Sequence, residues 1–219
     1  MSLGQELADF RTAFEAAAPP GRATLYSAKI EELRREFLLE RVVKVGDRVD
    51  DFCLPDARGA DVSLYQMLKD GPAILCFYRG GWCPYCNIQL RAYQRVLPEI
   101  AAWKGQLAAI SPQLPDGTLS TAERNELQFP VLSDVRNEVA RRFGLVYVLA
   151  QEIRSALWAN GKALPPINGD ESWELPVPAT FVIAQDGRVA LSFVEVDYRI
   201  RLEPELILNC LRLLAVEPS

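Results

Sequence analysis

The chain has 219 residues, 49% hydrophobic and 24% charged, and its 24 basic and 29 acidic side chains leave a formal charge of -5. That composition is ordinary for a folded chain and excludes a collagen-like or disordered one. Mild acidity without a block of like charge excludes an electrostatic surface for nucleic acid or anionic lipid, and no apolar run approaches the roughly 18 residues of a membrane span.

Leu3, Leu7, Phe10 and Phe14 recur at helical spacing and predict an amphipathic helix ending before Pro19-Pro20. A second helix is expected from Thr24 as N-cap, burying Ile30, Leu33 and Phe37. Residues 1–44 are thus predicted as an N-terminal helical extension, with the main domain over 45–219. From Val45-Gly46 onward the pattern changes to short apolar runs punctuated by Gly, Pro and Asp. Ala73–Tyr78, Gln106–Ile110, Pro130–Leu132 and Ala179–Ala184 read as buried strands, and Pro84–Trp103, Leu119–Glu126 and Arg136–Phe143 as helices between them. Pro98 should end or kink the first of these near Leu97. Alternating strands and helices predict an α/β sheet covered on both faces, and Asp186-Gly187 predicts a hairpin that makes one edge antiparallel. A last helix should begin near Pro204, with Leu206, Cys210 and Leu213 on its buried face. The long connection 151–176 is expected either as a lid near the site or as a covering insertion anchored by Trp158 and Trp173.

Five cysteines and no histidine are the informative counts. Without imidazole, Ser-His and Cys-His nucleophile pairs and histidine-ligated metals are excluded. Met1–Phe14 has neither the basic start nor the apolar core of a secretory signal, so a reducing, cytoplasmic location is expected. Tyr78-Arg79-Gly80-Gly81-Trp82-Cys83-Pro84-Tyr85-Cys86 joins the buried strand to the longest helical stripe, Cys86, Leu90, Tyr93, Leu97 and Ile100. Pro84 falls at the first helical position and Cys83 at the N-cap, where free backbone N–H groups and the helix dipole favour a thiolate. Cys83 is therefore expected as the exposed, acidic nucleophile. Cys86, one turn in and within disulfide reach, is expected to be less exposed with an ordinary or raised pKa. Half a zinc site is the competing reading of Cys-x-x-Cys, but no second half exists, so no metal is predicted. Cys53, Cys76 and Cys210 read as small core residues.

Further segments resemble the AhpC/TSA (alkyl hydroperoxide reductase and thiol-specific antioxidant) peroxiredoxins. They are Val45-Gly46-Asp47 through Asp51-Phe52-Cys53-Leu54-Pro55-Asp56, Ile110-Ser111-Pro112, Phe129–Asp134, Arg142-Phe143-Gly144 and Ala179–Ile183. The resemblance implies a thioredoxin-like mixed sheet flanked by helices, with Cys83 as peroxidatic cysteine and no cofactor. It implies a thioredoxin-dependent peroxidase for hydrogen peroxide or organic hydroperoxides, regenerated by thioredoxin or glutathione, and is compatible with a homodimer.

The chain departs from the family pattern in two places. No hydroxyl lies between Arg79 and Cys83, and Val177-Pro178, which looks like the cis-proline of thioredoxins, stands where an Arg is usual. Cys-Pro-Tyr-Cys is itself a glutaredoxin string. Arg79, Trp82, Pro178 and Arg199 are the expected substrate-binding residues, the Asp197–Arg201 segment being otherwise a surface ion-pair cluster. Two alternatives stand beside the peroxidase: a thiol-disulfide oxidoreductase with Trp82 and Pro178 lining a peptide groove, and a non-enzymatic redox sensor.

Overall fold

The computed structural model describes residues 1–216. Helices α1 (Leu3–Ala17) and α2 (Arg22–Glu36) come first, followed by a small hairpin of β1 (Cys53–Pro55) and β2 (Asp61–Ser63). Then come α3 (Leu64–Asp70), β3 (Ala73–Phe77), α4 (Pro84–Arg95), α5 (Leu97–Ala102) and β4 (Gln106–Ser111). Next are α6 (Pro115–Arg124), β5 (Val131–Ser133), α7 (Glu138–Arg142), β6 (Val146–Val148), α8 (Gln151–Ala159) and α9 (Leu164–Asn168). The chain continues through β7 (Glu174–Pro176), β8 (Ala179–Ile183), β9 (Val189–Val194) and α10 (Pro204–Val216). No helix among the described residues is long and apolar enough to cross a membrane.

The central sheet has the order β5-β4-β3-β8-β9. Strands β3, β4 and β5 run parallel, while β8 is antiparallel to both β3 and β9. The β3 strand is buried at every residue, as its unbroken apolar run requires of a central strand covered on both faces. The hairpin at Asp186-Gly187 forms, with Gly187 at φ 85° supplying the left-handed turn residue. One face of the sheet packs under α4, α5 and α10, and the other against α3, α7 and the β1–β2 hairpin.

Several expectations are corrected. Helix α2 is capped by Gly21 at φ 80° rather than Thr24, which lies inside it. Helix α10 buries Ile207, Leu208 and Leu211, leaving Leu206 and Leu213 exposed: two apolar stripes run along it, and the sheet selects the other one. Cys53 is exposed on the small hairpin, whereas Cys76 is buried in β3 and Cys210 half-buried. Trp158 is exposed and lies against Trp173 at 6.5 Å between ring centroids, and of the two expected anchors it is Trp173, half-buried, that packs on the satellite cluster. Over 151–176 the packing is carried by Ile153, Leu157, Leu164 and Leu175, which form a satellite cluster against Tyr26 and Trp82.

The N-terminal helices lie over the C-terminal end of β3. Leu3 and Leu7 join the core beside α4, and Phe10 packs edge-on against Tyr85 at 5.0 Å between ring centroids. Ser2 caps α1 through its hydroxyl, and the Glu203 carboxylate accepts from the N–H groups of Leu3 and Gly4 at 3.1 and 2.6 Å. Helix α2 is tied down by Lys29–Glu152 at 2.7 Å and Arg34–Glu195 at 3.1 Å.

Candidate active site

The turn from β3 into α4 is a double glycine for steric reasons. Gly80 sits at φ +135°, and a Cβ on Gly81 would lie 2.1 Å from the Thr121 hydroxyl oxygen, so any side chain there would have to displace α6. Gly81 donates its N–H to Gln113 Oε1 at 2.6 Å and accepts from Asn87 Nδ2 at 2.8 Å, which fixes the turn. This packing leaves no room for Ser or Thr at Gly80 or Gly81. Cys83 is the N-cap of α4 with Pro84 at N1, and the helix breaks at Val96 before Pro98, both as the sequence implies.

The expectation of an exposed Cys83 is overturned, and the burial that covers it opposes a charge on its sulfur. Cys83 is only 2% exposed and its sulfur accepts no capping hydrogen bond. A helix terminus contributes about 0.3–1 kcal/mol, and removing a charge from water costs several kcal/mol, so burial wins. Burial, followed by the hydrogen bond and charge of Cys86, pushes the Cys83 thiol well above its usual range. Burial works against a charge on Cys86 as well, but donors outweigh it and bring its pKa down from 9.0 to about 5. In order of weight they are the Cys83 thiol, the charges of Arg201 and Arg79, and the Arg79 backbone N–H. Arg201 Nη2 lies 3.4 Å from Cys86 Sγ.

Arg199 is the guanidinium expected at the substrate and Arg201 only a member of a surface ion-pair cluster, and the structure gives both other surroundings. Arg199 is held bidentately by Asp197, at 2.8 Å to each carboxylate oxygen, and reaches Ser27 at 3.1 Å. Its guanidinium is thereby directed to the edge of α2 rather than to the thiols. Arg201 is buried, donates to Gln89 Oε1 at 2.7 Å and to the carbonyls of Tyr198 and Ile200, and so reaches the pair. The one sequence signal for it was Gln89, a polar residue beside the α4 stripe whose burial demanded a partner.

Cys83 lines a cavity of about 460 Å³ between the N-terminal helices and the sheet. Its walls are largely aromatic and aliphatic, including Phe10, Tyr26 and Ile30 from the extension and Tyr147, Leu149 and Ile153 opposite. Arg79 and Trp82 also line it, and Tyr147, Tyr198 and the α1–α2 residues are site residues the sequence reading missed. Arg79 is buried with its guanidinium carbon 4.1 Å from the Tyr198 ring centroid and 4.9 Å from that of Trp82. Arg79 Nε and Trp82 Nε1 have no hydrogen-bond partner among the described residues.

Pro178 is buried, but its peptide bond is trans, as all peptide bonds among the described residues are. The cis-proline expectation is overturned: Val177 donates its N–H to Leu145 O at 2.8 Å, and the chain runs extended from β7 into β8 with no tight turn that a cis bond would make.

A sequence model of the AhpC/TSA family matches residues 45–192. A putative peroxiredoxin of Mycobacterium tuberculosis is 33% identical over 103 residues, 47% of this chain and 67% of that protein. Peroxiredoxin Bcp of Escherichia coli is 30% identical over 103 residues, 47% of this chain and 65% of its own length. Among solved structures, peroxidoxin BcpB from Mycobacterium tuberculosis superposes with a TM-score of 0.63 at 26% identity, covering 80% of this chain and 99% of that one.

Proposed function

The chain belongs to the AhpC/TSA family, whose members set it among the thiol-dependent peroxidases, and from that premise we propose that Cys83 and Cys86 are its working dithiol. Cys83 attacks the O–O bond of a hydroperoxide and becomes a sulfenic acid, and Cys86 condenses with it to a disulfide. An external thiol, thioredoxin or glutathione, restores the pair by exchange. The observation that carries this reading is the placement of Cys83 against a cavity of about 460 Å³ alongside Arg79 and Trp82, whose Nε and Nε1 donors have no protein partner. Those donors suit the two oxygens of a peroxide and the alkoxide that develops as the O–O bond breaks.

The apolar lining favours an organic hydroperoxide over hydrogen peroxide, since the cavity is of a size that encloses a small organic molecule. Burial of Cys83 disfavours the thiol-disulfide oxidoreductase reading, because a protein disulfide has to reach the sulfur.

The test is an initial-rate assay with cumene hydroperoxide and with hydrogen peroxide, coupled to thioredoxin and its reductase or to glutathione and its reductase. Turnover should be faster with the organic peroxide and should fall by about 10³-fold or more in Cys83→Ser. Disulfide-dependent turnover exceeding peroxide turnover would instead select the oxidoreductase. Stoichiometric oxidation without turnover would select the sensor.

A further inference from the structure

The cavity that holds Cys83 is long and has two unlike ends. Arg22, Tyr26, Lys29, Ile30, Leu33 and Glu36 line it from α2, at the spacing of one helix face. The cavity therefore follows α2 from its first residue to its last, roughly 21 Å at 1.5 Å per residue. Cys83 stands beside the middle of this length. Its neighbour Trp82 packs on the cluster that includes Leu25 and Tyr26, in the first half of α2. Tyr198, edge-on to Tyr85 at 5.6 Å between ring centroids, lies three residues from Glu195, which pairs with Arg34 in the second half.

The charges are sorted along the same axis. Arg22 opens α2, and Lys162 stands two residues before Leu164, a member of the cluster that packs on Leu25 and Tyr26, so both cations belong to one end. Neither has an ion-pair partner among the described residues. Glu36 lines the other end. Lys29, between them on α2, is already taken by Glu32 and Glu152 at 2.8 and 2.7 Å. The wall along the middle is apolar and aromatic, with Phe10, Ile30, Leu149 and Ile153, and it holds the two unpartnered donors of Arg79 and Trp82. Two free cations at the head of an apolar trough, with an acid at its foot, are complementary to an amphipathic acid lying carboxylate first.

We propose that Arg22 and Lys162 form a carboxylate-binding subsite that fixes how substrates lie in the cavity, and that those substrates are long-chain acids carrying the hydroperoxide within the chain rather than at its end. Arg22 lies outside the family-matched segment 45–192, so the subsite is completed by a residue of the N-terminal extension. The inference rests on the peroxidase reading of Cys83 and adds an orientation to it. With the carboxylate held at Arg22, the chain runs along α2 and brings its middle past Cys83. There the O–O bond breaks and the S–S bond forms, the dithiol and ROOH giving the disulfide, ROH and water. Two electrons pass from sulfur to oxygen, one thiol proton ends on the alcohol and the other in the water, and the carboxylate is unchanged.

Two measurements on the full-length protein test this. The first is binding of palmitate and of methyl palmitate, with no peroxide present, followed by tryptophan fluorescence, since Trp82 lines the cavity. The acid should bind about tenfold tighter than the ester, as expected for hydrogen bonds to a charged group, and the difference should shrink as salt is raised. Replacing both cations, Arg22→Met with Lys162→Met, should weaken palmitate to the level of the ester. Equal binding of acid and ester by the wild-type chain, or palmitate binding unchanged in the double variant, would overturn the proposal. The wild-type comparison decides this even if the variant fails to fold. The second is steady-state reduction of an unsaturated fatty-acid hydroperoxide and of its methyl ester, coupled to thioredoxin and its reductase. KM for the acid should be about tenfold below that for the ester, with similar kcat, and should rise to meet it in the double variant. Equal KM values for acid and ester in wild type would overturn the proposal. Selective palmitate binding in a chain that reduces neither hydroperoxide would keep the subsite and overturn the peroxidase reading on which the substrate rests.

Discussion

The floor and the roof of the cavity are held by different forces. The floor is β3 and α4, where Ile74, Cys76, Cys86, Leu90 and Tyr93 are fully buried. Its polar groups are netted together, with the Tyr93 hydroxyl within 3.0 Å of Thr180 Oγ1 and 3.1 Å from Leu202 O, and Gln89 joining Tyr93 to Arg201. The roof is α1 and α2, which bury Leu3, Leu7 and Ile30. Its further ties are surface ion pairs, Glu6–Arg95, Lys29–Glu152 and Arg34–Glu195, whose partners are half-exposed or more exposed on at least one side. Exposed pairs of this kind contribute little stability and weaken with salt. The difference separates two tasks. Preorganised charge at the thiols needs a rigid floor, whereas choosing and admitting a substrate needs a wall that can yield, and the weaker wall is the one that lies outside the family-matched segment 45–192.

That contrast can be broken from either side. The largest effect is expected in the floor. Gly81→Ala places a methyl group 2.1 Å from the Thr121 hydroxyl oxygen and should destabilise the fold by roughly 1–3 kcal/mol, read from the denaturation midpoint at unchanged slope. It should slow both peroxides alike, because the turn that places Cys83 shifts. A variant as stable and as active as wild type would show that the turn tolerates displacement and that the floor is not the rigid element. A smaller and selective effect is expected in the roof. Phe10→Ala with Tyr26→Ala removes two aromatic lining groups from half-buried positions, so stability should change less than in Gly81→Ala. The kcat/KM for cumene hydroperoxide should fall about tenfold while that for hydrogen peroxide stays within about twofold. Equal losses for both peroxides would mean that the roof positions Cys83 rather than selecting the substrate.

The floor was largely legible in the sequence because its determinants are local. An unbroken apolar run, a Gly-Gly turn, Pro at N1 and a stripe beginning at Cys86 specify strand, turn and helix without reference to distant residues. The Asp186-Gly187 hairpin and the break before Pro98 were readable for the same reason. What was not legible depends on contacts far apart in the chain. Arg199 and Arg201 are two residues apart and chemically identical, and the choice between them was made by Asp197 gripping the first and Gln89, 112 residues away, receiving the second. The burial of Cys83 was not legible because the helix terminus there is a local feature, while the packing that covers it is not. The role of α1 and α2 was hidden likewise: Leu3, Leu7, Phe10 and Phe14 announce an apolar face but not the motif residue, Tyr85, that Phe10 covers.

The central claim is that Cys83 and Cys86 are oxidised together by a peroxide entering the cavity. It is tested most directly by treating the fully reduced protein with one equivalent of cumene hydroperoxide, quenching with an alkylating agent and mapping every cysteine by mass spectrometry. The account predicts a Cys83–Cys86 disulfide as the dominant product, with Cys53, Cys76 and Cys210 still reduced, and a sulfenate trapped on Cys83 in Cys86→Ser. Oxidation confined to the exposed Cys53 and half-buried Cys210, with the pair untouched, would contradict it.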